Sequence, residues 1–77
     1  VSKFWIKPKK NQPPGVKVSV GRLERIYRKT ELVYTVDRKN KALEFECDES
    51  ELMKKRAIAI RQARESFVGI EIWDEYE

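Results

Sequence analysis

The stretch from Glu31 to Phe67 constrains this chain more than any other, because its hydrophobic period changes once and the change is sharp. Leu32, Tyr34 and Val36 alternate along the chain, and so do Leu43, Phe45 and Cys47, which is the two-residue period of half-buried strands. Arg38 to Lys41 between them is polar and turn-like, so the pair reads as an antiparallel hairpin. Asp48, with Glu51 three residues on, then has the spacing of a capping box. The spacing predicts a helix over 49–66, with Leu52, Met53, Ala57, Ala59, Ile60, Ala63 and Phe67 as its apolar positions. Glu49 and Glu51 at its start and Arg61 and Arg64 near its end complement the helix dipole without any ligand.

The flanks extend the same reading. Phe4 and Ile6 share one face of a short strand, with Trp5 pointing the other way as an edge-strand residue. Pro8, Pro13, Pro14 and Gly15 make 8–15 a loop. Val16, Val18 and Val20 alternate like a strand, and Gly21 permits a bend. Residues 22–29 fit two periods. As a helix they would gather Arg22, Arg25 and Lys29 on one face; the valine alternation leading in and the short Lys29–Thr30 link favour a strand. After Gly69, the residues Ile70, Ile72 and Trp73 give a short final strand, or else 68–77 is a docking tail. The expectation is a single α+β domain over 1–77, with a small antiparallel sheet of about four to six strands on one C-terminal helix.

At 77 residues the chain is near the size at which one apolar core stabilises only modestly. A lone Cys47 allows no intrachain disulfide and reads as a small core residue. Without histidine, the usual Cys/His zinc sites and the common bases for a catalytic thiol are excluded, and no phosphate-cradling glycine loop occurs. The expectation is no enzyme activity, no cofactor and no metal. No apolar run approaches the ~20 residues of a membrane span, so an intracellular domain without membrane insertion is expected.

Charge is the remaining signal. Residues 1–41 carry twelve Lys/Arg against three Asp/Glu, a net +9, while 42–77 carry five against ten, a net −5. Either the halves neutralise each other across the fold, or the basic half faces a polyanion. The second alternative predicts a non-catalytic nucleic-acid-binding module that presents a basic sheet face and hairpin turn, through Lys17, Arg22, Arg25, Arg28, Lys29, Arg38, Lys39 and Lys41. The competing expectation is a protein-interaction or scaffold domain anchored by Trp5, Trp73 and Tyr76.

Three partial resemblances accompany these readings. The run from Val18 to Ile26, with Tyr34 to Val36 and Leu43 to Phe45, resembles a small Src-homology-3-like barrel. The hairpin leading into a helix that ends in Ile60 to Ala63 is similar to the rear of a pleckstrin-homology domain, and the sheet-plus-helix order resembles the arm-binding domains of phage-type recombinases. None spans the chain with a specific motif, so no site residue follows from them.

Overall fold

The computed structural model describes residues 1–74, so Tyr76 lies outside the described residues. In chain order the elements are β1 (Ser2–Pro8), α1 (Val20–Tyr27), β2 (Tyr34–Asp37), β3 (Ala42–Cys47), a 3₁₀ turn (Glu49–Glu51), α2 (Leu52–Ser66) and β4 (Ile70–Asp74). The strands form one sheet in the order β2-β3-β1-β4, every neighbouring pair antiparallel. It follows that β1 runs parallel to β2 with β3 between them, and β3 parallel to β4 with β1 between them. Parallel strands need a crossover, and α1 and α2 supply one each. This interleaved β-α-β-β-α-β order is the split-βαβ, ferredoxin-like topology.

The expected α+β class, hairpin, C-terminal helix and final strand are all present. The hairpin pairs Val36 with Leu43 and Tyr34 with Phe45, and β4 rejoins the sheet beside β1. The strand expected over 22–29 is instead most of α1. Two contacts hold it in that form. Ser19 caps the helix, its Oγ accepting the Arg22 N–H at 3.1 Å, and Leu23 and Tyr27, four apart, both point into the core. The same coiling removes the expected Val16–Val20 strand: 16–19 has no strand partner, and Val20 opens the helix. A barrel like the one suggested by the Val18–Ile26 run is therefore not formed.

Smaller corrections follow from register. Pro8 ends β1 and pairs with Ile70, so the loop begins at Lys9. Trp5 lies on an interior strand, since β1 is bonded on both sides. Asp48 precedes the 3₁₀ turn without a side-chain cap; its carbonyl accepts the Glu51 N–H at 2.9 Å, and the Glu51 carboxylate pairs with Lys55 at 3.1 Å. Starting α2 at Leu52 sets its inner stripe through Ala59 and Ala63, with Leu52 and Ile60 against its edge. Met53 and Ala57 fall on the solvent side, Met53 being 86% exposed.

Both helices cover one sheet face. Phe4 stacks on its cross-strand partner Phe45 with ring centroids 4.8 Å apart, and Tyr27 meets Phe45 edge-on, also at 4.8 Å. The Tyr27 hydroxyl donates to the Ala59 carbonyl of α2, and the small side chains of Ala59 and Ala63 let that helix approach. Cys47 completes the core, and burial pushes its thiol pKa up, as expected of an inert packing residue. The loop after β1 is fastened by Gln12. Its amide nitrogen donates to the carbonyls of Lys9 (2.9 Å) and Gly69 (2.8 Å), while its oxygen accepts the Val68 N–H at 2.9 Å.

Burial raises the Tyr27 pKa well above its ordinary value of 10.0, because the phenolate would lie in the core. The neutral phenol therefore contributes stability that is complete below about pH 10 and is lost as pH rises toward the folded value. Tyr27→Phe should cost about 1 kcal/mol at neutral pH by urea unfolding and should flatten the alkaline decline. Tyr27→Ala should cost ~3–5 kcal/mol.

Candidate nucleic-acid interface

Of the eight cations expected to meet nucleic acid, none lies on a strand. Lys17 is exposed in the loop before α1; Arg22 and Arg25 are on α1, Arg28 and Lys29 follow it, and Arg38, Lys39 and Lys41 occupy the β2–β3 turn. This corrects the expected basic sheet face. The uncovered face of the sheet carries Lys3 and Lys7 among Asp37, Glu44, Glu46 and Glu71, because the arginines assigned to strands coil away on α1. On that face Lys3 pairs with Glu46 at 3.7 Å and Glu44 at 3.9 Å.

Apart from these, the ion pairs among the described residues are Lys55–Glu51 and Arg56–Asp74, the latter at 3.2 Å. None of the eight cations takes part in an ion pair, so the two halves of the chain do not neutralise each other through direct contacts at these positions. Arg22 differs from the rest. It is half-buried, and its guanidinium lies 5.8 Å from the Phe67 ring centroid, a cation–π contact that gives it a packing role.

Two concavities gather five of the eight; Lys17, Arg28 and Arg38 line neither. Arg22 and Arg25 of α1, with Lys29 just past its end, border a groove of about 390 Å³ opposite Gln62, Glu65 and Ser66 of α2. A cleft of about 400 Å³ opens at the end of the sheet where β1 finishes and β3 begins. Lys7 and Lys10 on one side and Lys39 and Lys41 on the other surround it, with Pro8, Val18 and Val20 in its walls. Nothing in the sequence links Lys7 and Lys10 to the turn lysines. Their approach to Lys39 and Lys41 follows from the antiparallel register, which sets Ile6 opposite Leu43.

The turn between β2 and β3 holds its lysines in place by a local device. Asp37 accepts the Asn40 backbone N–H at 3.1 Å and its side-chain amide at 2.9 Å. The Asn40 side chain, chiefly, holds the Asp37 carboxyl below its usual range. Its contribution is present above the ordinary carboxylate pKa and fades as pH falls through the folded value. Lys41 closes the turn at φ 54°, left-handed backbone that glycine adopts without steric cost.

Trp5 and Trp73 are cross-strand partners on the uncovered face, with near-parallel rings 6.2 Å apart and both partly buried. Pairing β4 with β1 is what brings these two predicted anchors together. Among the described residues, no group of three or more metal-ligating side chains is assembled, and no helix is long and apolar enough to cross a membrane. No protein-family model, curated protein or solved structure matches the chain.

Replacing Lys41 with glycine should relieve a left-handed cost of ~1–2 kcal/mol, offset partly by the extra freedom of glycine in the unfolded chain. The expected net effect is a stabilisation of roughly 0.5–1 kcal/mol by urea unfolding. A loss of stability would show that the Lys41 side chain contributes more than its backbone costs.

Proposed function

We propose that this chain is a non-catalytic nucleic-acid-binding module that contacts phosphates through the β2–β3 turn and α1. The observation that carries the reading is the set of unpaired cations. Lys17, Arg25, Arg28, Lys29, Arg38, Lys39 and Lys41 are exposed and none has a carboxylate partner. Solvated lysines and arginines of this kind exchange condensed counterions for contact when they meet a phosphate backbone. Because α1 starts at the cleft and borders the groove, Lys39 and Lys41 lie near its beginning and Arg25 and Lys29 toward and beyond its end. The helix alone is ~12 Å long at 1.5 Å per residue, enough for more than one phosphate to be engaged along it.

A second reading draws on the uncovered sheet face. Partly exposed Trp5 and Trp73 beside carboxylates and two lysines have the composition of a protein-interaction anchor. The two surfaces are separate, so a phosphate-binding turn and a Trp-anchored partner site are compatible in one domain.

Fluorescence anisotropy with labelled single-stranded and duplex oligonucleotides at increasing salt tests the first reading. For about five phosphate contacts, log K should fall against log salt with a slope of roughly −3.5 on single strands and −4.5 on duplex. Arg25→Gln or Lys39→Gln should each reduce the slope by about one and weaken all sequences alike. An absence of binding at low salt overturns this reading. If the second reading holds, Trp73→Ala should abolish capture of a protein partner while leaving the salt slope unchanged.

A further inference from the structure

We infer that the four-lysine cleft is a seat for a multiply charged phosphate group, a phosphomonoester or oligophosphate, as distinct from an ordinary internal phosphodiester. The inference rests on the nucleic-acid reading for one of its two ligand sources, a phosphorylated strand end; the other source is a free oligophosphate.

The argument begins with charge density. Lys7, Lys10, Lys39 and Lys41 come from two segments that are distant in sequence, yet all border one cavity of about 400 Å³. A sphere of that volume is roughly 9 Å across, a separation at which two like charges repel by roughly 0.5 kcal/mol in water and ~2 kcal/mol at an effective dielectric of 20. No Asp or Glu is among the lining residues, and none of the four lysines forms an ion pair. Two carboxylates lie just outside the cleft: Glu71 is opposite Lys7 across the β1–β4 pairing, and Asp37, bonded by the neutral Asn40 side chain, keeps its negative charge beside the turn, so four lysine charges are only partly offset. An entering anion therefore relieves repulsion at several sites at once. A phosphodiester brings one negative charge, whereas a phosphomonoester brings about 1.5–2 near neutral pH and a third unesterified oxygen.

Shape favours the same ligand. Pro8, Val18 and Val20 give the cleft apolar walls beneath its charged rim, the usual make-up of a site for a discrete group. The Ser19 hydroxyl oxygen accepts the Arg22 N–H as the helix cap, which leaves its O–H as a donor at the cleft wall. The charge for recognition comes from the lysine ammonium groups, which suit a compact phosphate as point charges.

The test compares one oligonucleotide carrying a terminal phosphate with the same strand ending in hydroxyl groups, and adds inorganic tripolyphosphate as a third probe. Lys10 and Lys39 are exposed and lie outside every strand and helix, so Lys10→Gln with Lys39→Gln is the variant of choice, its fold checked by circular dichroism. The phosphorylated strand should bind the native chain about tenfold more tightly than the hydroxyl strand, and the double variant should lose that preference. Arg25→Gln, away from the cleft, should weaken both strands equally. Tripolyphosphate should shift the amide resonances of residues 39–41 and compete with the phosphorylated strand. Equal binding of both strands, with no tripolyphosphate shift, overturns the inference and leaves the nucleic-acid reading standing. Tripolyphosphate binding without binding of either strand supports the cleft and overturns the nucleic-acid reading, identifying the ligand as a free oligophosphate. Failure of all three probes overturns both.

Discussion

The fold depends on how Tyr27 is buried. Its ring is inaccessible to solvent, meets Phe45 of the central sheet edge-on and carries a hydroxyl that donates to the Ala59 carbonyl of α2. One side chain thus joins both helices to the sheet. In a domain this small, with a core formed largely by single aromatic and aliphatic residues from each element, few other contacts span all three. The hydrogen bond also removes the cost of burying a hydroxyl, so the polar end of the ring fixes the spacing of the helices instead of opposing their approach.

Placing both helices on one face has a consequence for charge. The open sheet face interleaves lysine with glutamate and aspartate, whereas the β2–β3 turn, the loop before α1 and α1 itself hold cations without ion-pair partners. Arginines that a strand would have spread across the sheet are carried off it by α1. The sheet register then sets the end of β1 beside the start of β3, which brings Lys7 and Lys10 to Lys39 and Lys41. Repulsion among such groups is tolerable while they are hydrated, and it becomes a source of binding free energy when a polyanion arrives.

The division of labour between the faces is also physical. An aromatic pair directly opposite across two strands buries area even without a covering layer, and Trp5 with Trp73 does this where no helix reaches. Of that face the phosphate-binding reading uses only the edge beside the β2–β3 turn, at Lys7 and Asp37. It draws on turn and helix residues whose backbone is fixed by the Asp37–Asn40 hydrogen bonds and the Ser19 cap, so the charges sit on ordered supports while their ammonium and guanidinium ends stay solvated.

By itself the sequence determined the hairpin, the C-terminal helix and the inward direction of Phe4 and Ile6. In each case the local period of apolar residues is unambiguous and the partner lies nearby or the pattern is long. The sequence left 70–74 open between a strand and a docking tail until the pairing of β4 with β1 settled it. It also marked the turn lysines and the two tryptophans as exposed or partner-seeking positions. Residues 22–29 were ambiguous because Leu23 and Tyr27 share a face under either period. What decided between helix and strand was the parallel relation of β1 and β2, which requires a crossover and is a property of the assembled sheet. The cleft was illegible for the same reason. Its lysines are about thirty residues apart in the chain, and only the antiparallel pairing of β1 with β3 makes them neighbours.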